Sequence, residues 1–379
     1  MSNPLSQLAL SPLFQTGEFG DKEVADAFKK LLNDCQDAGV SDLHLSAGAR
    51  PFARRNGELH YLSETPFGHD RAEVANLCML NEAQFKTLQE TYDLEFSLAF
   101  GDTQRFRACV TLHKWGVAGS YRIVPARILS LEALGFKNPE PIRKLLAYHN
   151  GLVLVTGPTN SGKTTTLATM VDEINRKRED HVITVEDPVE FVQPSQGCNI
   201  TQRQVGDHTR SFSTALKGAL RQDPDVIIIG EMRDLETIAI AITAAETGHL
   251  VIGTMHTADA GSTLSRILDA FPPAQQAQIR ATVSESLRGI ICQRLLPAAD
   301  GGSALACELL VANLAVANLV RDNKLHLLKT VIETGQRDGM STMDNSIVAL
   351  FRAGRITRET AFASFNDRAS RRQIEAAAA

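Results

Sequence analysis

The residues with the clearest chemical signature lie between positions 157 and 165. The phosphate-binding pattern Gly-x-x-x-x-Gly-Lys-Ser/Thr is matched by Gly157-Pro158-Thr159-Asn160-Ser161-Gly162-Lys163-Thr164, and Thr165 follows directly. The glycines let backbone N–H groups close around phosphate oxygens. Lys163 would reach the β- and γ-phosphates of a nucleotide, and Thr164 would hold Mg²⁺. The motif therefore predicts a nucleoside triphosphate site; the alternative is a chance strand–turn–helix that contains Gly and Lys.

A second candidate is the carboxylate that follows the apolar run at residues 226–229. This run ends in Gly230 and Glu231 and resembles a Walker B strand, with Gly230 in the usual aspartate position. Glu231 would polarise a water molecule or bind Mg²⁺ through water. The alternative is a surface acid at the end of a strand.

Three more acids, Glu186, Asp187 and Glu190, follow a predicted strand at residues 182–185. Carboxylates at the carboxyl end of a parallel strand lie on the ligand side of such sheets, so Glu186 would orient a water molecule. The alternative for these acids is helix capping or turn formation, which suits Asp187 before Pro188.

Two histidines and three arginines complete the candidate residues. His249 and His256 flank a strand predicted beside the P-loop. A lone histidine beside a strand is usually structural, but two of them leave structural and functional interpretations evenly balanced. Arg105, Arg107 and Arg122 lie on strands of a separate N-terminal region. They form either a solvated surface or arginine fingers that reach across an interface.

Short strands alternate with helices from residue 142 onward. Strands are predicted at residues 152–156, 182–185, 226–229 and 250–254, and helices include residues 212–221 and 235–247. These strands are apolar at nearly every position, which is typical of a parallel sheet covered on both faces. The pattern predicts a P-loop α/β core in residues 142–379. Beyond residue 272 the chain is predicted to be mainly helical, with one strand near residues 306–311.

Residues 21–125 have a different pattern. A helix capped by Asp21 precedes strands with period-two alternation near residues 41–46, 94–100, 106–112 and 117–124. Antiparallel strands with helices on one side predict a small α+β domain. We expect residues 1–20 to be a flexible leader and residues 126–141 to be an interdomain linker.

Length and composition exclude several classes of protein. The chain has 379 residues, of which 43% are hydrophobic, and this length and composition predict two or three domains with sizeable cores. It contains no apolar run of the ~20 residues that a membrane-spanning helix needs, and its first residues lack the features of a signal peptide. We therefore expect a cytoplasmic protein. The net charge of −5 argues against a general nucleic-acid binder, and six scattered cysteines argue against a zinc site.

Four motifs in order resemble those of a known family. They are the Walker A motif at residues 157–164, an Asp box at 183–190, an atypical Walker B motif at 229–234 and a His box at 243–257. Residues 41–45 resemble the N-terminal signature of the same family. With these motifs the chain resembles the secretion-type hexameric ATPases and, within them, the PilT family of type IV pilus retraction motors.

The resemblance implies a PAS-like N-terminal domain joined to a RecA-like ATPase domain, with ATP and Mg²⁺ bound where the two domains close. It implies that Glu186 and Glu231 are the catalytic carboxylates and that His249 and His256 contribute to the nucleotide site or to coupling. By the same resemblance, Arg105-Phe106-Arg107 and Arg122 match N-terminal-domain arginines that approach the nucleotide.

The resemblance also implies partners for the chain. They are the other copies of the chain in a homohexameric ring, a platform protein at the inner membrane that the ring would turn, and a second retraction ATPase; no nucleic acid is expected. The protein would be cytoplasmic and peripheral at the inner membrane.

The chain departs from the family pattern at several positions. Asn160 replaces a glycine of the P-loop, and asparagine is the non-glycine residue most tolerant of positive φ. Lys114-Trp115 occupies a region where the family generally has another arginine, and Ala317 replaces the first arginine of a C-terminal segment of retraction ATPases. The Ala317 change permits an accessory ATPase of the PilU kind as an alternative. Extension motors, type II secretion ATPases and DNA-translocating ATPases fit less well, because the Cys-x-x-Cys insertion of the first two is absent and the charge is acidic.

Overall fold

The structure is a computed structural model that describes residues 4–14, 20–55, 58–100, 104–124 and 128–365. These residues divide into two units. The first contains the described residues up to 124 together with Glu190–Val192, and the second contains the rest. Of the ranges predicted above, residues 1–3, 15–19, 56–57, 101–103, 125–127 and 366–379 lie outside the described residues. Within the described ranges, none of the helices has the length and apolar character needed to cross a bilayer.

The first unit is a six-stranded antiparallel sheet in the order β3-β2-β1-β6-β5-β4. Its helices bury an apolar stripe, including Phe28, Leu31 and Leu32, in one core with Leu43 and Tyr121 of the sheet. This arrangement confirms the predicted α+β domain. The strands are β1 (Asp42–Ser46), β2 (Phe52–Arg55), β3 (Glu58–Tyr61), β4 (Asp93–Phe100), β5 (Gln104–His113) and β6 (Gly116–Val124), and the helices are α1 (Pro4–Leu8), α2 (Asp21–Asp37), α3 (His69–Leu77) and α4 (Glu82–Thr91).

The start of the chain differs from the prediction. Residues 4–14 form α1 and a 3₁₀ turn, and Leu5, Leu8 and Leu13 are buried in the core of the first unit. The prediction of a flexible leader is therefore wrong for these residues, because burial of three leucines offsets the entropy lost on ordering the segment. The N-cap of α2 is Gly20 rather than Asp21, and Glu23 accepts a hydrogen bond from the Gly20 N–H (3.0 Å).

The second unit is a seven-stranded sheet in the order β13-β12-β7-β11-β10-β8-β9, with β13 antiparallel and the other pairings parallel. Apolar side chains cover both of its faces, so the predicted α/β core is confirmed. The strands are β7 (Gly151–Thr156), β8 (His181–Glu186), β9 (Asn199–Gln204), β10 (Val226–Ile229), β11 (Leu250–Met255), β12 (Leu287–Pro297) and β13 (Ser303–Val311), and the helices are α5 (Glu140–Leu146), α6 (Lys163–Lys177), α7 (Phe212–Ala219), α8 (Leu235–Glu246), α9 (Ala260–Asp269), α10 (Pro273–Ser286), α11 (Leu314–Arg321), α12 (Leu328–Thr334), α13 (Met343–Arg352) and α14 (Arg358–Ser364).

The parallel register aligns the carboxyl ends of the central strands. Thr156 at the end of β7 pairs with Met255 of β11, and Ile229 of β10 pairs with Val185 of β8. The segments that follow these strands therefore emerge at one edge of the sheet. That edge carries the P-loop, His256, Glu231 and Glu186.

Two strands of the second unit were not predicted. β9 is an edge strand whose sequence, Asn-Ile-Thr-Gln-Arg-Gln, is mostly polar. β12 follows α10 without a turn, so no Gly or Pro signal marks where the helix ends and the strand begins.

The predicted linker is also different in the structure. Residues 128–141 belong to the second unit, where Leu131 and Phe136 are buried in one core with Met170 of α6. The Thr169 hydroxyl of α6 donates a hydrogen bond to the Leu129 carbonyl oxygen (2.9 Å). This segment is therefore part of the second unit and is not a spacer.

Helix α8, which follows the Walker B motif, is capped by Asp234. Asp234 Oδ1 accepts from the Thr237 N–H and Oδ2 accepts from the Thr237 hydroxyl, each at 2.8 Å. Partial burial opposes ionisation of this carboxyl, but the hydrogen bonds from Thr237 outweigh it and lower the pKa below the ordinary 3.8.

We expect Asp234→Ala to lower the stability of the protein by about 0.5–2 kcal/mol near neutral pH, whereas Asp234→Asn should behave almost as wild type. The pKa of Asp234 is lower in the folded protein than in the unfolded chain. The charge-dependent part of this stability is therefore fully present above the unfolded-state pKa and is lost as the pH falls through the folded-state pKa. Urea unfolding at several pH values would measure it. Equal stability of wild type and Asp234→Ala at neutral pH would contradict the capping role.

Candidate active site

The P-loop begins where β7 ends, and its geometry requires a glycine at its first position. Gly157 has φ of +148°, and a Cβ atom there would lie 2.4 Å from the Gln293 carbonyl oxygen and 2.5 Å from Ser161 Oγ. Asn160 has φ of +63°, the conformation expected where the family has glycine. The Ser161 hydroxyl is buried and has no hydrogen-bond partner among the described residues, which suits a donor for a phosphate oxygen. Pro158, Thr159 and Asn160 are exposed at the tip of the loop.

Lys163 is the first residue of α6 and folds back over the loop. Its Nζ donates to the carbonyl oxygens of Gly157 (3.0 Å) and Pro158 (2.9 Å). Lys163 is only 9% exposed. Burial lowers the pKa of its ammonium group, and the charge of Glu231 opposes this change. Phosphate oxygens would offer this buried cation stronger partners than the two carbonyls.

His256 connects Lys163 to the Walker B carboxylate. Its Nδ1 lies 3.4 Å from Lys163 Nζ, and its Nε2 lies 2.9 Å from Glu231 Oε1. An ammonium group can only donate and a carboxylate can only accept, so we infer the neutral tautomer with its proton on Nε2. Three residues from three separate motifs thus form one continuous hydrogen-bonded chain.

Glu231 is held at the end of β10 by a close approach of two backbones. The Gly230 N–H donates to the Val185 carbonyl (2.8 Å). A Cβ at Gly230 would lie 3.1 Å from that carbonyl oxygen and 3.2 Å from the Cα of Glu186. A side chain at this position would crowd both neighbours, which favours glycine there. It also places the backbones of the two predicted catalytic carboxylates, Glu186 and Glu231, next to each other.

The Glu186 side chain is bound by its own strand and by its neighbour. Glu186 Oε1 accepts from the Thr184 hydroxyl of β8 (2.6 Å) and from Gln202 Nε2 of β9 (3.0 Å). Sequence reasoning found Glu186 but missed Gln202, because β9 itself was not predicted.

Gln293 of β12 is a second missed residue beside the P-loop. It is 1% exposed, and its Nε2 donates to the Thr166 hydroxyl of α6 (2.9 Å). Its carbonyl also limits the space at Gly157. A glutamine, followed by Arg294, in the mostly apolar run at residues 290–296 was the available signal.

The structure does not bring His249 to the P-loop. His249 precedes β11 while His256 follows it, and six strand residues separate the two by roughly 20 Å. The ring of His249 instead lies against the last part of α8, with Nδ1 3.0 Å from the Ala244 carbonyl oxygen. His249 therefore does not join the residues around the P-loop of the same chain, and its catalytic role stays a prediction.

Arg107 and Arg122 pair across β5 and β6 of the first unit. Arg122 Nε donates to Asp42 Oδ1 (2.9 Å), while Arg107 donates to Glu95 (2.5 Å) and Glu190 (3.5 Å). Burial raises the pKa of Glu190, and the charge of Arg107 opposes this change. Both guanidinium groups thus have carboxylate partners within their own unit, and their action on a nucleotide stays a prediction.

The comparisons with known proteins agree with the motifs. The sequence model of the type II/IV secretion system protein family matches residues 20–334. The type IV pilus retraction ATPase PilT of Pseudomonas aeruginosa is 42% identical over 88% of this chain and 96% of the relative. The type IV pilus ATPase PilU of the same organism is 37% identical over 89% of this chain and 88% of the relative. A crystal structure of the pilus retraction motor PilT with bound ADP has a TM-score of 0.82 and 40% identity, and the match covers 91% of this chain and 98% of that one.

Proposed function

The chain belongs to the type II/IV secretion system protein family, as one of its ATP-hydrolysing members, and we propose that its ATP turnover drives the retraction of a type IV pilus. The single observation that carries the catalytic part is the hydrogen-bonded chain from Lys163 through His256 to Glu231. It joins the phosphate-binding loop to a carboxylate at the same edge of the sheet. The similarity to PilT supports the pilus part.

Nucleotide binding follows from the loop. The backbone N–H groups at the start of α6 and the buried Ser161 hydroxyl would donate to the phosphates of ATP. Lys163 would exchange its carbonyl partners for the β- and γ-phosphate oxygens. The positive charge of Lys163 would then lie next to the phosphate oxygens on which negative charge develops during hydrolysis.

The residues present fit a magnesium ion. The described residues contain no cluster of three or more His, Cys, Asp and Glu that could hold a metal by themselves. Mg²⁺ bound to a nucleotide needs only one or two protein oxygens besides the phosphates and water. The exposed Thr164 hydroxyl and the Glu231 carboxylate would supply them. The ion would neutralise charge on the transferred phosphate.

Hydrolysis also needs a group that positions the attacking water. We assign this role to Glu186, which lies beside the backbone of Gly230 and Glu231. When Lys163 binds the γ-phosphate, its contact with His256 would change, and through His256 so would the hydrogen bond to Glu231. Arg107 and Arg122 are proposed to add positive charge at the nucleotide, as the resemblance implies.

The proposal extends to assembly. We propose a homohexamer that acts at the cytoplasmic face of the inner membrane on the platform protein of a pilus, without nucleic acid. The proposed partners include a second retraction ATPase. The similarity to PilT and PilU supports this part of the proposal.

A strain that lacks the gene would test the pilus function. We expect it to carry excess pili that do not retract and to lose twitching motility. Wild-type protein should restore both properties, and Lys163→Ala should restore neither. Loss of pili would instead indicate an extension motor, and unchanged pili and motility would contradict the proposal of a primary retraction motor.

An accessory ATPase similar to PilU is the second candidate. Ala317 on α11 favours it, because the resemblance implies an arginine at this position in retraction ATPases. Deletion of an accessory ATPase would leave the pilus number normal. It would lower only the force or frequency of retraction, which optical tweezers measure.

A further inference from the structure

The edge strand β9 carries two glutamines whose side chains have different partners. Gln202 Nε2 donates to Glu186 Oε1 (3.0 Å), and Gln202 Oε1 accepts from the Gln193 N–H (2.8 Å). Gln204 Oε1 accepts from the Val189 N–H (3.0 Å), and Gln204 Nε2 donates to Asp207 (2.6 Å). Both glutamines therefore hold the segment after β8, but Gln202 also holds the carboxylate.

We propose that Gln202 is a positioning residue for hydrolysis, which fixes the Glu186 carboxylate so that it can orient the attacking water. This inference rests on the role proposed for Glu186. It gives β9 a part in the reaction besides its pairing with β8.

The geometry explains how a neutral amide can act in this way. Gln202 pairs with Thr184 in the register of β8 and β9, so both side chains reach the same carboxylate oxygen from neighbouring strands. Two donors on one oxygen restrict rotation of the carboxylate and stabilise its ionised form. The backbone of Gln193 in turn orients the Gln202 amide, so that its NH₂ group and not its oxygen points to Glu186.

The Gln202 amide thus acts through Glu186. Its loss should lower kcat and leave the affinity for ATP almost unchanged, since Lys163 is held over the loop by the carbonyl oxygens of Gly157 and Pro158. One hydrogen bond to a charged group corresponds to a change of roughly 10- to 100-fold. A negative charge at the same position should also make Glu186 harder to ionise.

Three variants of the purified full chain test the inference. They are Gln202→Ala, the isosteric Gln202→Glu and the matched control Gln204→Ala, which removes a similar glutamine from the same strand. Steady-state phosphate release would be measured across pH, together with binding of a non-hydrolysable ATP analogue. We expect Gln202→Ala to lower kcat by about 10- to 100-fold with little change in binding. Gln202→Glu should move the acid limb of kcat/KM to higher pH, and Gln204→Ala should leave that limb in place.

The inference is overturned if Gln202→Ala and Gln204→Ala lower kcat equally and Gln202→Glu leaves the acid limb where it is, because β9 would then be only structural. It is also overturned if Gln202→Ala weakens analogue binding while kcat is kept. Glu186→Gln separates this failure from failure of the proposed function. If Glu186→Gln is active, the role proposed for Glu186 itself is contradicted. If Glu186→Gln is inactive and Gln202→Ala is fully active, only the role of Gln202 is contradicted.

Discussion

Lys163→Ala is expected to lower ATP turnover by at least about 10²- to 10³-fold and to weaken nucleotide binding. This fold-change is typical of the loss of one donor that stabilises developing negative charge. Lys163 is buried over the loop, with its Nζ within hydrogen-bonding distance of two loop carbonyls and of His256. Removing it takes away the charge that would meet the γ-phosphate and breaks the chain to Glu231. Phosphate release and calorimetric titration with an ATP analogue would measure the two effects.

Lys177→Ala is the matched control for this substitution. Lys177 lies at the other end of α6, where it is exposed and pairs with Glu173 (2.7 Å). Its loss should leave turnover unchanged, because surface ion pairs contribute little. If Lys163→Ala turned over ATP at the rate of Lys177→Ala, the P-loop would not be the site of hydrolysis.

Glu231→Gln is expected to lower turnover by about 10²- to 10⁴-fold while ATP binding is retained. The amide keeps an oxygen that can accept from His256 and Arg233, which contact Glu231 Oε1 at 2.9 Å and 2.5 Å. It loses the charge that would bind Mg²⁺ through water or polarise the attacking water. Tight binding of ATP without phosphate release is therefore the signature of this variant.

Glu333→Gln supplies a control with the same change of charge, at an exposed position near the end of α12 and outside the four motifs. It should hydrolyse ATP as wild type does. Wild-type turnover by Glu231→Gln would show that the Walker B carboxylate is not catalytic, and the hydrolytic role would then pass to Glu186 alone.

The elements around the P-loop could be predicted because two independent signals agree there. The motif fixes a strand, a loop and a helix, and neighbouring parallel strands must then place Glu186, Glu231 and His256 at the same edge. His249 shows the limit of reading a motif without strand direction. It precedes its strand, so the same rule places it at the opposite edge.

The missed parts lack a local signal. β9 is a mostly polar edge strand, in which the Gln202 and Gln204 side chains bond to the segment after β8 while Ile200 packs against the core. The boundary between α10 and β12 has no turn residue, and Leu131 and Phe136 are too few to show a period. Their positions depend on contacts with residues distant in sequence, such as Met170, which only the folded chain reveals.

The burial of the first leucines bears on how a shortened protein should be designed. From the sequence alone, a shortened protein would be designed to begin at Asp21, because the preceding residues are predicted to be a flexible leader. Such a protein would lack Leu5, Leu8 and Leu13 and would leave uncovered the apolar surface that they bury. The loss in folding stability would be about 1.5–3 kcal/mol for each side chain. Aggregation of that protein would then be mistaken for loss of ATPase activity. An affinity tag and any trimming are therefore better placed away from residues 4–14.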